Sequence, residues 1–314
     1  MGHTDKKSFS QNKFSDRKFS SDVFSHRAKK SLGLNKFSNE KLSSDFSFHK
    51  PKKNLGQNFL KSKEALRKMC EAGEISNEDV ILEIGPGKGA LTEKLLEKAK
   101  KVIAVEKDID LIKILEEKFK QEIENKKLVL VNEDILTFEI KNYETKKEKY
   151  KVIANIPYNI TGAIFKKFLS CTDQPERMVL LIQKEVAERI VARDNKESIL
   201  SLSVKAYGTP KYIIKVGKKF FSPAPKVDSA IVAITNISRA NFKTNNEEIA
   251  FFETIKAGFL HKRKILKRNL ECCGKNAAHI DKIFENLKIN PRTRAEDLKI
   301  ENWFEISRLL STEI

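Results

Sequence analysis

The chemistry of this chain concentrates in VIANIPYNITGAIF, residues 152–165. Asn155, Pro157 and Tyr158 place an amide oxygen, a main-chain carbonyl and an aromatic ring within four positions. An aromatic amine is a poor nucleophile, because its lone pair is delocalised into the ring. Two acceptors, Asn155 Oδ1 and the Pro157 carbonyl, can each take one amino hydrogen and localise that pair. Tyr158 can stack on a base that has left its helix, a gain of about 1–3 kcal/mol.

A second group lies upstream. ILEIGPGKGALTEKL (81–95) runs an apolar stretch into Gly85, Gly87 and Gly89 and then a helical pattern. Such glycines let backbone lie against a ligand. The third glycine comes one residue too early for a dinucleotide fingerprint, and no Lys-Ser/Thr pair of a P-loop follows. Glu106 follows Gly87 by nineteen residues, where a carboxylate accepts hydrogen bonds from both ribose hydroxyls. Asp134, after the next apolar run, is placed to hold an adenine amino group; taken alone it reads as a loop or helix-capping residue. Together the three point to S-adenosyl-L-methionine rather than a dinucleotide.

Short apolar runs alternate with amphipathic stretches from 52 to 240. Strands are expected at 80–84, 101–105, 128–132, 151–155, 178–183, 211–216 and 229–234, and helices at 63–72, 90–99, 109–122, 162–169, 184–192 and 197–206. This alternation predicts an α/β fold with a mainly parallel sheet covered on both faces and strand C-termini along one edge. Residues 241–314 carry no strand pattern; helices are expected at 247–261, 263–272, 277–287 and 295–309. Residues 1–51 read as a disordered tail. Its first fifty residues hold eleven Ser, seven Phe and a net charge of +6. Phe9, Phe14, Phe19 and Phe24 repeat every five residues, a period of neither helix nor strand. Basic residues interleaved with aromatics suit RNA, and an inert extension is the alternative. KKSLGLN (29–35) echoes KKNLGQN (52–58).

The chain has 314 residues, a net charge of +18 and a pI near 9.5, which favours a polyanionic partner. Four cysteines and no CxxC pair argue against a disulfide framework or a structural zinc site. No apolar run reaches the roughly 18–20 residues of a membrane helix, and none at the N-terminus forms a secretory signal. A reducing, cytoplasmic setting is expected.

KKNLGQNFL (52–60), EIGPGKGALT (83–92), VEKD (105–108), NED (132–134), NIPYNIT (155–161), LIQKEVAERI (181–190), FSPAPKVDS (221–229) and PRTRAEDL (291–298) resemble, as a set, the rRNA adenine dimethyltransferases. The resemblance runs from about Lys52 to the C-terminus. It implies a Rossmann-like class I S-adenosylmethionine-dependent methyltransferase domain (52–240) with a small C-terminal helical RNA-binding domain (241–314). It also implies dimethylation of the 6-amino group of adenosine. Asn58 and Leu60 would close over the cofactor, Gly85 and Gly87 would meet its methionine end, Glu106 its ribose and Asp134 its adenine. Asn155 would contact cofactor and target amine, with Pro157 and Tyr158 completing the loop. Phe221 would sandwich the base against Tyr158, although Phe220 is adjacent and either ring can point inward.

QKEVAERI and PRTRAEDL resemble the small-subunit branch (KsgA type), which dimethylates two adjacent adenosines in the 3′-terminal hairpin and links to ribosome biogenesis. Lys88 occurs often in the large-subunit branch (Erm type), whose modification confers macrolide resistance. HKRKILKRNL (261–270) is expected on a helix, with Lys262, Arg263, Lys264, Lys267 and Arg268 against phosphates. The expected partner is rRNA in a pre-ribosomal subunit, met by a monomer with neither membrane nor metal. Two rivals stay open: a DNA or protein methyltransferase, although such relatives carry Pro where this chain has Ile156, and a non-catalytic assembly factor on the same fold.

Overall fold

A computed structural model describes residues 49–143 and 149–311. The tail expectations, including the Phe-Ser repeat and the KKSLGLN copy, fall on residues 1–48 and lie outside the described residues.

The chain begins with β1 (Phe59–Leu60), α1 (Lys63–Gly73), β2 (Val80–Ile84), α2 (Ala90–Leu96), β3 (Lys101–Glu106), α3 (Ile109–Lys118), α4 (Lys120–Glu124) and β4 (Leu128–Asn132). It continues through β5 (Tyr150–Asn155), α5 (Thr161–Leu169), β6 (Arg177–Gln183), α6 (Lys184–Ile190), α7 (Ile199–Lys205), β7 (Thr209–Val216), β8 (Phe221–Ser222) and β9 (Ser229–Thr235). Four helices follow: α8 (Asn245–Gly258), α9 (Leu266–Cys272), α10 (Ala277–Asn286) and α11 (Ile300–Ser311).

Seven strands form a sheet in the order β4-β3-β2-β5-β6-β9-β7. The first five are parallel, and β9 lies antiparallel between β6 and β7. The apolar runs are continuous because helices cover both faces. Their side chains still divide by the two-residue strand period. Leu82, Ile84, Ile103, Val105, Val152 and Leu180 enter one core, while Ile81, Val102, Ala104, Ile153 and Val179 enter the other. Helices α1 and α2 cover the second face through Leu66, Met69, Leu91 and Leu95. On the first face, α5 contributes Phe165 and Phe168, and the core continues into Phe251 of α8 and Trp303 of α11. A Cβ on Gly258 would fall 2.3 Å from the buried Trp303 ring, so α8 and α11 approach this closely only with glycine there.

Several expected helix bounds shift. The run 109–122 breaks at Phe119, whose φ of −116° separates α3 from α4 while its ring stays buried. α2 stops at Leu96 rather than 99. α7 begins after Ser198, whose side chain caps it in reciprocal hydrogen bonds with Ser201. The 295–309 stretch is a 3-10 turn, Ala295–Asp297, followed by α11. The basic stretch 261–270 is not one helix: α9 starts only at Leu266, and residues 261–264 form a turn ahead of it.

Strand order reverses between β2 and β5, the point at which open α/β sheets bind ligands. The β2–β5 ladder ends at Leu82 opposite Val152, while β2–β3 continues to Ile84 opposite Val105 and β5–β6 to Asn155 opposite Leu181. The C-terminal halves of β2 and β5 therefore part, and a crevice opens between them.

Candidate active site

The crevice is a cavity of about 340 Å³, within the range of small-molecule sites. The loop Gly85–Lys88, Glu106, Asp134 and the turn Asn155–Tyr158 all line it, and Asn58–Lys61 close one side. Gly85, Gly87 and Gly89 have φ of +64°, +60° and +77°, which L side chains rarely adopt. A Cβ on Gly87 would also stand 3.0 Å from the Phe59 ring. The loop thus lies directly beneath the segment that covers it.

Glu106 ends β3 with 7% of its surface exposed. Its Oε1 accepts the Asp108 amide at 2.9 Å, and its Oε2 accepts the Gly87 amide at 3.3 Å. Each oxygen keeps a lone pair for a ribose hydroxyl. Burial pushes its carboxyl above the usual carboxylate range. Two residues on, Asp108 caps α3 and holds the covering segment. It accepts from Lys52 Nζ at 2.5 Å and Gln57 Nε2 at 2.8 Å, and its Oδ2 lies 3.1 Å from His49 Nε2. Burial opposes its charge, but these hydrogen bonds hold its carboxyl at about 2. His49, Asp108 and Asp110 bring three metal-type ligands together, yet the Lys52 ammonium already bridges the two carboxylates.

Asn155 ends β5. Its Nδ2 donates to the Asn58 carbonyl at 3.1 Å. A carbonyl can face only the NH2 side of an amide, so this contact sets the orientation. Oδ1 makes no hydrogen bond among the described residues. The Pro157 carbonyl accepts the Ile160 amide at 3.3 Å and keeps a second lone pair. Tyr158 is half-buried, and its hydroxyl meets Ser229 Oγ at 2.7 Å, a tether from the start of β9. The ring therefore stands at the cavity wall and not in the core.

Other expected residues sit differently. Asp134 reaches the crevice with both oxygens engaged: Oδ2 with Lys107 at 2.8 Å and Oδ1 as acceptor from the Leu136 amide at 2.9 Å. An adenine amine would have to share Asp134 with Lys107 by taking a remaining lone pair, or displace it from a surface pair worth about 0–1 kcal/mol. Phe221 is 4% exposed, belongs to the core under α1 and does not line the cavity. Pairing of β8 with β1, Phe221 opposite Leu60, turns it inward, while Phe220 lies on the 3-10 turn, Lys218–Phe220, just before the strand. Phe220 is the outward ring, 40% exposed. Lys262, Arg263, Lys264 and Arg268 are exposed, whereas Lys267 is tied to Asp281 at 2.5 Å. A larger cleft of about 1360 Å³ lies among α5, α6, α7 and α8, away from the glycine loop, and Lys262 lines it.

Glu83 is the residue that sequence reasoning passed over. It is 1% exposed, its Oε2 has no partner, and it lines the cavity where β2 leaves β5. Its signal was an ionisable residue inside an otherwise apolar strand, VILEI. Burial, with the Glu106 carboxylate acting in the same direction, pushes its carboxyl to about 8. At neutral pH it is therefore a buried neutral carboxyl with one free oxygen at the crevice, and a cationic ligand such as S-adenosylmethionine would favour its ionised form. The chemistry of the donor set therefore fits that cofactor.

The raised value has a testable consequence. The folded protein holds a proton on Glu83 that the unfolded chain releases above about pH 4.5. Stability from this group is fully present below that pH and is lost as pH rises through about 8. Glu83→Gln carries no such proton. Its thermal midpoint without ligand should pull ahead of wild type between pH 6 and 8.5, in scanning calorimetry across that range, while its S-adenosylmethionine affinity falls. Parallel pH profiles for the two proteins would refute the shift.

Known proteins resemble this chain over most of its length. The sequence model of the ribosomal RNA adenine dimethylase family matches residues 48–312. A curated relative from Fusobacterium nucleatum, named ribosomal RNA small subunit methyltransferase A, is 40% identical over 253 residues, covering 80% of this chain and 94% of the relative. A relative of the same name from Dehalococcoides mccartyi is 40% identical over 246 residues, covering 78% and 83%. The crystal structure of a dimethyladenosine transferase from Plasmodium falciparum matches with a TM-score of 0.68 at 27% identity, over 79% of this chain and 95% of that one. The 23S rRNA methyltransferase ErmE shares the fold, with a TM-score of 0.67 at 24% identity over 81% of this chain and 100% of its own.

Proposed function

The chain belongs to the ribosomal RNA adenine dimethylase family, and on that premise we propose that it methylates small-subunit rRNA at two adjacent adenosines of the 3′-terminal hairpin. It is an rRNA adenine dimethyltransferase, and its methyl donor is S-adenosyl-L-methionine. The target atom is the exocyclic 6-amino nitrogen, methylated twice.

One observation carries the catalytic reading. The Asn155 amide is held by the Asn58 carbonyl so that its oxygen is left free, on the turn that carries Tyr158 and borders the same cavity as the glycine loop. When bound, S-adenosylmethionine supplies an electrophilic methyl on a sulfonium. Gly85, Gly87, Glu106 and Asp134 would hold that group, with Asn58 and Leu60 over it. In the first transfer Asn155 Oδ1 and the Pro157 carbonyl each accept one hydrogen of the adenine amine and direct its lone pair along the line of transfer; in the second, the one remaining hydrogen goes to one of them. Tyr158 stacks on the base, and the Ser229 tether limits how far its ring can turn. No strong base is required before attack, because the amine becomes sharply more acidic once methylated. Positioning and preorganised acceptors supply the rate. For Phe221 to join the stack, β8 would have to release its ring from the core.

In this reading residues 52–240 perform the chemistry and 241–314 position the RNA. Lys262, Arg263, Lys264 and Arg268 contact phosphates, each adding about −0.7 to −0.9 to the log–log salt slope. Lys267 contributes less, because Asp281 already neutralises it. The enzyme works as a cytoplasmic monomer on a pre-ribosomal small subunit, without a metal. No helix among the described residues is long and apolar enough to cross a membrane.

Mapping of dimethylated adenosines in both rRNAs, with and without the gene, tests the assignment. Loss of two adjacent modifications in the small-subunit hairpin is expected. Loss in the large-subunit RNA would move the enzyme to the other branch. Unchanged methylation with stalled small subunits would favour an assembly factor.

A further inference from the structure

Phe220 is a large aromatic held at the surface beside the active site. It closes a 3-10 turn, Lys218–Phe220, and its ring is 40% exposed while Phe221 is buried. A single exposed apolar side chain is ordinary on a protein surface. Three further observations set this one apart.

The turn is fixed at several points. The Phe220 amide donates to the Gly217 carbonyl at 3.0 Å, and its own carbonyl accepts the Lys61 amide at 2.8 Å. The Lys218 amide donates to Asp228 Oδ1 at 2.9 Å. An exposed ring on a fixed turn loses little freedom when it is covered.

The loop also reaches the catalytic turn. Lys61 lines the cavity. At the other end of the same loop, Ser229 meets the Tyr158 hydroxyl at 2.7 Å. One loop therefore links the Phe220 ring to the ring that faces the target base.

The charge around it is unbalanced. Lys218, Lys219 and Lys226 are exposed and make no ion pair among the described residues. Lys215, just before the turn, is by contrast neutralised by Asp228 at 2.8 Å. Lys219 Nζ stands 5.3 Å from the Phe220 ring centroid. A flat ring with one ammonium beside it and two more exposed lysines on the same loop suits an unstacked base and its phosphates.

We propose that Phe220 is a stacking platform for an RNA base next to the target adenosine, with Lys218 and Lys219 on the flanking phosphates. The platform holds the neighbour while the target turns out toward Tyr158. This inference rests on the rRNA substrate proposed above.

Steady-state methylation of unmethylated small ribosomal subunits tests it. Phe220→Ala and Phe220→Leu should raise KM for the subunit about 5- to 150-fold, the fold-change expected for one lost base stack, with kcat within about twofold of wild type. Phe220→Trp should restore KM, which a merely apolar cover would not demand. Cofactor affinity and thermal midpoint should stay at wild-type values. Lys218→Ala combined with Lys219→Ala should flatten the log KM against log salt slope by about 1.4–1.8, and Phe220→Ala should leave that slope unchanged. If wild type methylates the subunit and Phe220→Ala has an unaltered KM, the platform is overturned alone. If wild type transfers nothing to the subunit, the substrate assignment falls and the platform with it.

Discussion

Asn155→Ala is expected to lower methyl transfer to unmethylated small subunits by roughly 10²–10³-fold, the usual effect of deleting one preorganised group at a reacting centre. The alanine loses the only side-chain oxygen on the turn that is free to accept from the amine. It also loses the bond to the Asn58 carbonyl, 3.1 Å long, which costs about 1 kcal/mol. That smaller loss should show as a slightly lower thermal midpoint, with the fold intact by circular dichroism. Asn155→Asp separates the two roles, because it keeps an acceptor but cannot donate to Asn58. Single-turnover transfer of tritiated methyl gives the rate. Alanine turnover within tenfold of wild type would remove Asn155 from the chemistry.

Glu106→Ala should weaken S-adenosylmethionine binding by about a hundredfold or more. Two ribose hydroxyls would lose a charged acceptor, each bond being worth about 1.5–3 kcal/mol. The substitution also strips the acceptor from two amides, Gly87 and Asp108. The glycine loop then loses its anchor to β3, so the midpoint should fall as well. Glu106→Gln is the milder test: its NH2 must face one of the two amide N–H groups, so one anchor survives. Titration calorimetry with S-adenosylmethionine well below the midpoint measures both. A dissociation constant for the alanine variant within threefold of wild type would rule out the ribose role.

Much of the frame was legible in the chain. The runs at 80–84 and 128–132 match β2 and β4 residue for residue, because a short, mostly apolar run between polar flanks marks a strand. Helix ends were less legible. The break at Phe119 and the late start of α9 depend on packing that no local period records. Within the site, Gly85, Gly87, Glu106 and the Asn155–Tyr158 turn could be named because each follows directly on a strand, at the same sheet edge. Glu83 could be seen as odd in an apolar strand, but not as aimed into a crevice.

The sequence by itself determined the fold class, the cofactor class and the position of the turn proposed to hold the amine. Those properties live in contiguous residues, where the strand period, glycine conformations and four-residue spacing act locally. Only the tertiary structure decided how those parts meet. It decided that β2 parts from β5 beyond Leu82, that Asp108 ties down a segment more than fifty residues earlier, and that Ser229 restrains Tyr158 from 71 residues away. It also turned Phe221 in, by pairing β8 with β1, and left Phe220 out on the 3-10 turn before it. The physical reason is the same in each case: strand order and cross-chain pairing set which distant side chains share a few ångströms, and no local pattern encodes that distance.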